Sequence, residues 1–312
     1  MHLSLPVALT ALALTACGGA ASPEGAAASG AEPLAVTVGL YPYAFVAERV
    51  GGRDVEVTNL TAPGVEPHDL ELTPQQVAGL SETDLVLYAR GFQPAVDEAV
   101  DQQAADRALD VLTTVELREG AAHEESEGEE HADEQAHEGG EASADPHVWL
   151  DPARLATIAG AVADRLGTLA PDRAAAFEQR AEQLREELAA LDDEMRSGLA
   201  SCERKQIVTS HDAFGYLAAA YGLEQVSLAG LSPDDEASPK RLAEVATYAK
   251  EQGVTTIFFE ELASPKVAQS LAREVGARAE VLTPLEGAPD SGDYLSAMRT
   301  NLASLQEALG CT

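Results

Sequence analysis

Basic residues are scarce in this chain: 20 Lys and Arg stand against 53 Asp and Glu, and the net charge is −33. A nucleic-acid partner requires a basic face that neutralises phosphates, so that class of function is excluded. The excess of carboxylates also excludes adsorption to anionic lipid headgroups and favours cations. Cysteine is nearly absent, with three in 312 residues and no Cys-x-x-Cys pair, so no thiolate metal cage is encoded. Long apolar runs are lacking too. Beyond the first 17 residues no stretch stays apolar for about 18 residues, the length a spanning helix needs, so the folded part is expected to be soluble. Histidine is rare, at seven residues, and its placement is the most informative feature of the chain.

Leaving aside His2, the six histidines form two groups of three. His123, His131 and His137 crowd into one acidic, Gly-rich tract. His68, His147 and His211 lie far apart, each in a loop-like setting: Pro67-His68-Asp69, Pro146-His147-Val148 and Ser210-His211-Asp212. Neutral imidazole is the commonest protein ligand for a transition metal. Three such ligands, so widely spaced, imply a site assembled by the fold. The tract covers residues 119–145 and holds eleven carboxylates, three His and four Gly with no Lys or Arg. It has nothing with which to build a core and is expected to be disordered, either a weak multi-site metal collector or a plain solvated acidic loop.

The apolar run over residues 3–16 is too short to span a bilayer and closes in small residues, the pattern of a secretory signal. Leu14-Thr15-Ala16-Cys17 resembles a bacterial lipobox, which implies cleavage before Cys17 and a diacylglycerol on its sulfur. Residues 18–32 are rich in Ala, Gly and Ser and read as a flexible tether. The expected layout is a signal over 1–17, a tether over 18–32, and a soluble part held to the membrane through the N-terminal lipid only. About 280 residues remain, enough for two lobes with separate cores.

Short β-branched runs alternate with helical patterns. Residues 34–40, 55–60, 85–89 and 108–112 read as strands. Residues 46–50 fall in a helix, and another opens at Thr73-Pro74 with an N-cap and a first-turn proline. After the tract, Asp151 is an N-cap candidate ahead of Pro152. A long helix starts near Pro171 and runs towards Ser201, about 29 residues or ~43 Å, with Leu184, Leu188, Leu191 and Met195 as its apolar stripe. Alternation then restarts, with strands at 206–210, 225–228, 255–259 and 280–283 and helices at 213–221, 239–252, 265–275 and 294–309. This predicts an α/β fold of two lobes with largely parallel sheets. The N-terminal lobe would cover 33–170, interrupted by the 119–145 insertion; a linking helix would cover 171–202 and a C-terminal lobe 203–312.

Five segments, in order, carry a family resemblance: Glu66-Pro67-His68-Asp69; Asp145-Pro146-His147-Val148-Trp149-Leu150-Asp151-Pro152; Ser210-His211-Asp212-Ala213-Phe214; Phe259-Glu260-Glu261; and Pro284-Leu285-Glu286-Gly287. With a His-rich acidic insertion just before the second, the chain resembles the zinc-specific solute-binding lipoproteins of bacterial ABC importers, whose wider cluster includes manganese receptors. The resemblance covers about residues 33–312. It implies Zn²⁺ in a cleft between the lobes, delivered to the permease and ATPase subunits of a zinc importer by a monomer anchored outside the cytoplasm. As ligands it implies His68 and His147 from the first lobe and His211 from the second, where manganese receptors carry a carboxylate. Glu286 matches a carboxylate that some zinc members use.

Three imidazoles with a carboxylate or water suit tetrahedral Zn²⁺, whereas carboxylate-rich sites suit manganese. The residues leave the fourth donor open: Glu286 first, Glu260 or Glu261 in reserve, or water. One of the reserve pair can instead support the site through hydrogen bonds. Asp69 and Asp212 stand beside histidines as orienting carboxylates or as helix caps. In an exported chain, Cys202 and Cys311 either pair as a disulfide closing a long loop or stay free. Three His plus water would also serve a zinc hydrolase, but no His-Glu-x-x-His motif sets a general base beside the ligands, so no enzyme is expected. A metal-dependent surface adhesin, a role the resemblance also implies, ranks lowest, because the sequence offers no separate adhesive element.

Overall fold

The computed structural model describes residues 32–118, 144–233, 237–262 and 264–312. The signal, Cys17 and residues 119–143 of the tract, with His123, His131 and His137, lie outside the described residues, whereas Asp145 at its end, expected to be disordered with the rest, is described and buried. The first β-branched run forms β1 (Leu34–Val38), and the chain continues through α1 (Tyr41–Gly51), β2 (Val55–Asn59), α2 (Pro74–Gly79), β3 (Leu85–Tyr88), α3 (Pro94–Gln103) and β4 (Ala108–Asp110). The four strands pair in parallel in the order β2-β1-β3-β4. Parallel sheets carry helices on both faces, and every residue of β3 is buried accordingly. Thr73 and Gln76 form a capping box at the start of α2, with Pro74 in its first turn. The α3 helix has no counterpart in the sequence reading. Only Val96, Ala99 and Val100 bury in it, too few to stand out as a stripe, although Pro94 marks its first turn.

Two long helices follow. In α4 (Pro152–Leu169), Asp151 accepts the Ala153 N–H as N-cap. The next helix differs at both ends from the expected one. Residues 171–173 form a 3₁₀ turn, and α5 runs Ala174–Gly198, 25 residues, or about 37 Å. Its stripe of Leu184, Leu188, Leu191 and Met195 is fully buried. It packs along α4 and α1 and reaches the helices of the second lobe. That lobe comprises β5 (Gln206–Thr209), α6 (Gly215–Tyr221), β6 (Glu224–Ser227), α7 (Pro239–Glu251), β7 (Thr256–Phe259), α8 (Lys266–Val275), β8 (Arg278–Val281) and α9 (Tyr294–Leu309). Its sheet is again parallel, in the order β6-β5-β7-β8.

The two lobes share one core. A continuous apolar cluster runs from Val38 and Leu87 of the first sheet, through Leu166 and Leu188 of the long helices, to Phe258 and Leu305 of the second lobe. Smaller clusters lie under the outer helices, around Leu80 and Val100 in the first lobe and around Val245 and Leu271 in the second. Cys202 and Cys311 form a disulfide that ties the end of α9 to the segment after α5. Among the described residues, no helix is long and apolar enough to cross a membrane.

A common core has a thermodynamic signature. Truncating Leu188→Ala should cost about 2–5 kcal/mol in a single transition shared by both lobes. Two separated steps in a guanidinium titration followed by near- and far-UV dichroism would contradict it. Reducing the disulfide, whose cysteines lie 109 residues apart, should lower the unfolding free energy by about 3–5 kcal/mol. Paired titrations with and without reductant measure this, and coincident curves would count against the bond.

Candidate metal centre

His68, His147, His211 and Glu286 converge at the carboxyl ends of the strands, where open α/β sheets place their ligands. His68 lies in the loop between β2 and α2. The buried Gln93 amide donates to the Pro67 carbonyl (3.2 Å) and to Thr61 Oγ1 (2.9 Å), whose hydroxyl donates to the Gly39 carbonyl (2.7 Å). This chain ties the His68 loop to the end of β1. The His68 ring packs on Phe92 with centroids 4.2 Å apart.

His147 follows Pro146 at the start of a 3₁₀ turn. Asp145 takes both its backbone N–H (3.0 Å) and its Nδ1 (2.8 Å). Asp145 is itself held, since its N–H donates to the Arg118 carbonyl and its carbonyl accepts from the Tyr216 hydroxyl. At Gly215 an added Cβ would lie 2.8 Å from Asp145 Oδ2, so only glycine leaves that carboxylate its place. His211 lies just beyond β5, with Nδ1 2.5 Å from Glu260 Oε1. Glu260 follows β7 and also accepts from the Ser210 hydroxyl. Glu286 follows β8, directly after Leu285, which has φ +57°.

With each Nδ1 of His147 and His211 on a carboxylate, Nε2 is the nitrogen left to face the centre. Glu286 Oε1 sits 3.5 Å from His68 Nε2, 3.5 Å from His147 Nε2 and 3.6 Å from His211 Nε2. All four donor atoms fall within 4.8 Å of one another. Bonds of about 2.0–2.1 Å in a tetrahedron would set donors roughly 3.3–3.4 Å apart, close to the Glu286–imidazole separations, so the four can share one ion once the imidazoles draw in around it. Each of the four atoms is buried without a hydrogen-bond partner. Such orphans are costly to leave unmet, and a shared cation satisfies all of them.

The electrostatics agree. Burial alone would push the Glu286 carboxyl up, but the imidazoles of His147, His211 and His68 hold it well below the usual carboxylate range. Burial opposes charge on His211, yet Glu260 and Glu286 outweigh it and raise the ring to about 10. His147 is raised in the same way, by Asp145 and Glu286 against burial. Without metal, protons supply the positive charge that these carboxylates demand. A cavity of about 590 Å³, lined by Arg90, Phe92, Leu117, Pro146 and Leu231 among others, leads in to His68.

Of the reserve carboxylates, Glu260 is buried and holds His211, while Glu261 is exposed. Asp69 is exposed as well. Sequence reasoning assigned no role to Asp145, although it lies only two residues before His147. It also passed over Gln93 and over Glu66, whose carboxyl accepts the His68 N–H (3.2 Å). Burial, with Glu286 nearby, pushes Glu66 up to about 7.

Comparison with known proteins agrees with this architecture. The family described as "Zinc-uptake complex component A periplasmic" matches residues 36–308. The high-affinity zinc uptake system protein ZnuA of Bacillus subtilis is 38% identical, covering 97% of this chain and 96% of the relative. The zinc(II)-bound ZnuA-like domain of Streptococcus pneumoniae AdcA superposes with a TM-score of 0.72 at 31% identity, over 89% of this chain and 99% of that one. The laminin-binding protein Lmb of Streptococcus agalactiae, described as a bifunctional protein with adhesin and metal transporting activity, gives a TM-score of 0.78 at 27% identity, over 89% and 100%.

If Glu260 and Asp145 orient the imidazoles, Glu260→Gln should weaken zinc binding about 10–100-fold, and Gly215→Ala should weaken it in the same direction by crowding Asp145. Competition against a chromophoric chelator measures both. Folded variants with unchanged affinity would remove these carboxylates from the site.

Proposed function

The chain belongs to the zinc-uptake complex component A family, and on that footing we propose that it captures Zn²⁺ outside the cytoplasm through His68, His147, His211 and Glu286 and delivers it to an ABC-type permease. The observation that carries this reading is the set of four buried, unpartnered donor atoms, with Glu286 Oε1 3.5–3.6 Å from each imidazole Nε2 and all four within 4.8 Å of one another. Three imidazoles and one carboxylate oxygen favour zinc over manganese, which prefers oxygen-rich octahedral coordination. Four protein donors leave no vertex for a substrate or an activated water, the arrangement of a carrier rather than a hydrolase. Members of this family are metal-binding uptake components, not enzymes.

The permease and ATPase of a zinc importer are the partners this role requires. The lipobox-like segment ending at Cys17 supports a lipid anchor on the outer face of the cell membrane, with residues 18–32 as the tether to a monomeric binding domain. The tract with His123, His131 and His137 is read as a weaker collector that raises zinc concentration near the cleft. Adhesion, described for one of the structural relatives, has no element separate from the two lobes to support it among the described residues.

The test is a competitive titration of chelator-stripped protein with Zn²⁺ and Mn²⁺, on the native sequence and on His211→Ala. One tight zinc equivalent, poorly displaced by manganese and lost or much weakened in the variant, is expected. Tight binding indifferent to His211→Ala would move the metal elsewhere. Because carboxylates hold His211 up to about 10, zinc must expel a proton at neutral pH. Affinity should therefore fall as pH falls, and calorimetry in buffers of different ionisation enthalpy should register proton release.

A further inference from the structure

Two of the ligand-bearing segments are stapled to each other at a point two residues from each ligand. The indole N–H of Trp149, two residues after His147, donates to the carbonyl of Pro284, two residues before Glu286, at 2.7 Å. The carbonyl of Trp149 accepts in turn from the hydroxyl of Tyr294 on α9, at 2.6 Å. Trp149 thus joins the first lobe to the second through its side chain and its backbone. Trp149 and Tyr294 are both fully buried, so no water competes for either bond.

The staple acts on a strained turn. Leu285, between Pro284 and Glu286, is the one non-glycine residue with positive φ among the described residues, at +57°. A side chain in the left-handed region costs free energy and persists only where its surroundings fix it. Upstream, Thr283 is clamped by Asn301, which accepts its N–H (3.1 Å) and donates to its carbonyl (2.7 Å). Leu285 itself is 1% exposed. The turn is therefore held at Thr283 by α9 and at Pro284 by Trp149, and Glu286 is aimed from its far end.

We propose that Trp149 is a positioning residue for Glu286: its indole holds the left-handed turn that presents the carboxylate to the three imidazoles before metal arrives. This rests on the reading of the four residues as the zinc site. A preformed carboxylate binds tightly because no ordering remains to be done on binding. A released turn would relax, Glu286 would swing out, and a site of three histidines and water would remain.

The test is a double-mutant cycle on zinc affinity, read by chelator competition, with Trp149→Phe, Glu286→Gln and the pair. Phenylalanine retains one aromatic ring and removes the donor together with part of the buried indole volume, a packing loss that is common to both backgrounds of the cycle. Trp149→Phe should weaken zinc about 10–100-fold, the range for groups that orient a ligand. In the Glu286→Gln background the same change should cost less than about 3-fold, since there is no carboxylate left to position. Equal losses in both backgrounds, or a folded Trp149→Phe protein with native affinity, would overturn the proposal. If Trp149→Phe does not fold, Tyr294→Phe releases the other end of the staple and should show the same dependence on Glu286. His211→Ala separates the two failures: if that change leaves zinc binding intact, the site reading fails; if it abolishes binding while the cycle is additive, only the positioning role fails.

Discussion

A carboxylate shut away from water stays ionised only where positive charge meets it. Glu286 is 3% exposed and faces three imidazole nitrogens across gaps of 3.5–3.6 Å. Much of the architecture serves to make that meeting occur. Each sheet brings strand ends towards the site, α5 packs on helices of both lobes, and loops of opposite lobes supply the donors. The electrostatic debt of the buried carboxylate is met by protons in the metal-free protein and by the ion when it binds.

The common core bears on how the ion leaves. The apolar cluster runs without a break between the lobes, so parting them would expose side chains such as Leu188 and Phe258 that are now fully or almost fully buried. The His68 loop rests on Phe92 and Gln93 beside the cavity, with no regular element of its own between β2 and α2.

Much of this was legible in the sequence. Alternation of β-branched runs with helical stripes gave both parallel sheets, and the isolated histidines in loop settings gave three of the four converging residues. Glu286 was named first among the fourth-donor candidates through a family resemblance rather than a periodicity. What escaped was set by tertiary context. The end of α5 and the existence of α3 turned on local balances that a weak apolar pattern does not resolve. The sequence named Glu260 and Glu261 as candidates for hydrogen-bonding support but could not choose between them or say which imidazole is served; Glu260, just past β7 and 49 residues from His211, is the one that holds it. Leu285 carries no signal at all, because left-handed backbone is expected of glycine.

Trp149 is also the only tryptophan in the chain. Its ring lies 5.3 Å from that of His147, centroid to centroid, and is wholly screened from solvent. The one indole of the chain thus lies against a candidate ligand. Excited beyond the absorption of the seven tyrosines, the protein emits from one indole, and any change in its intensity on metal exchange reports from beside the site, without a dye or an introduced label.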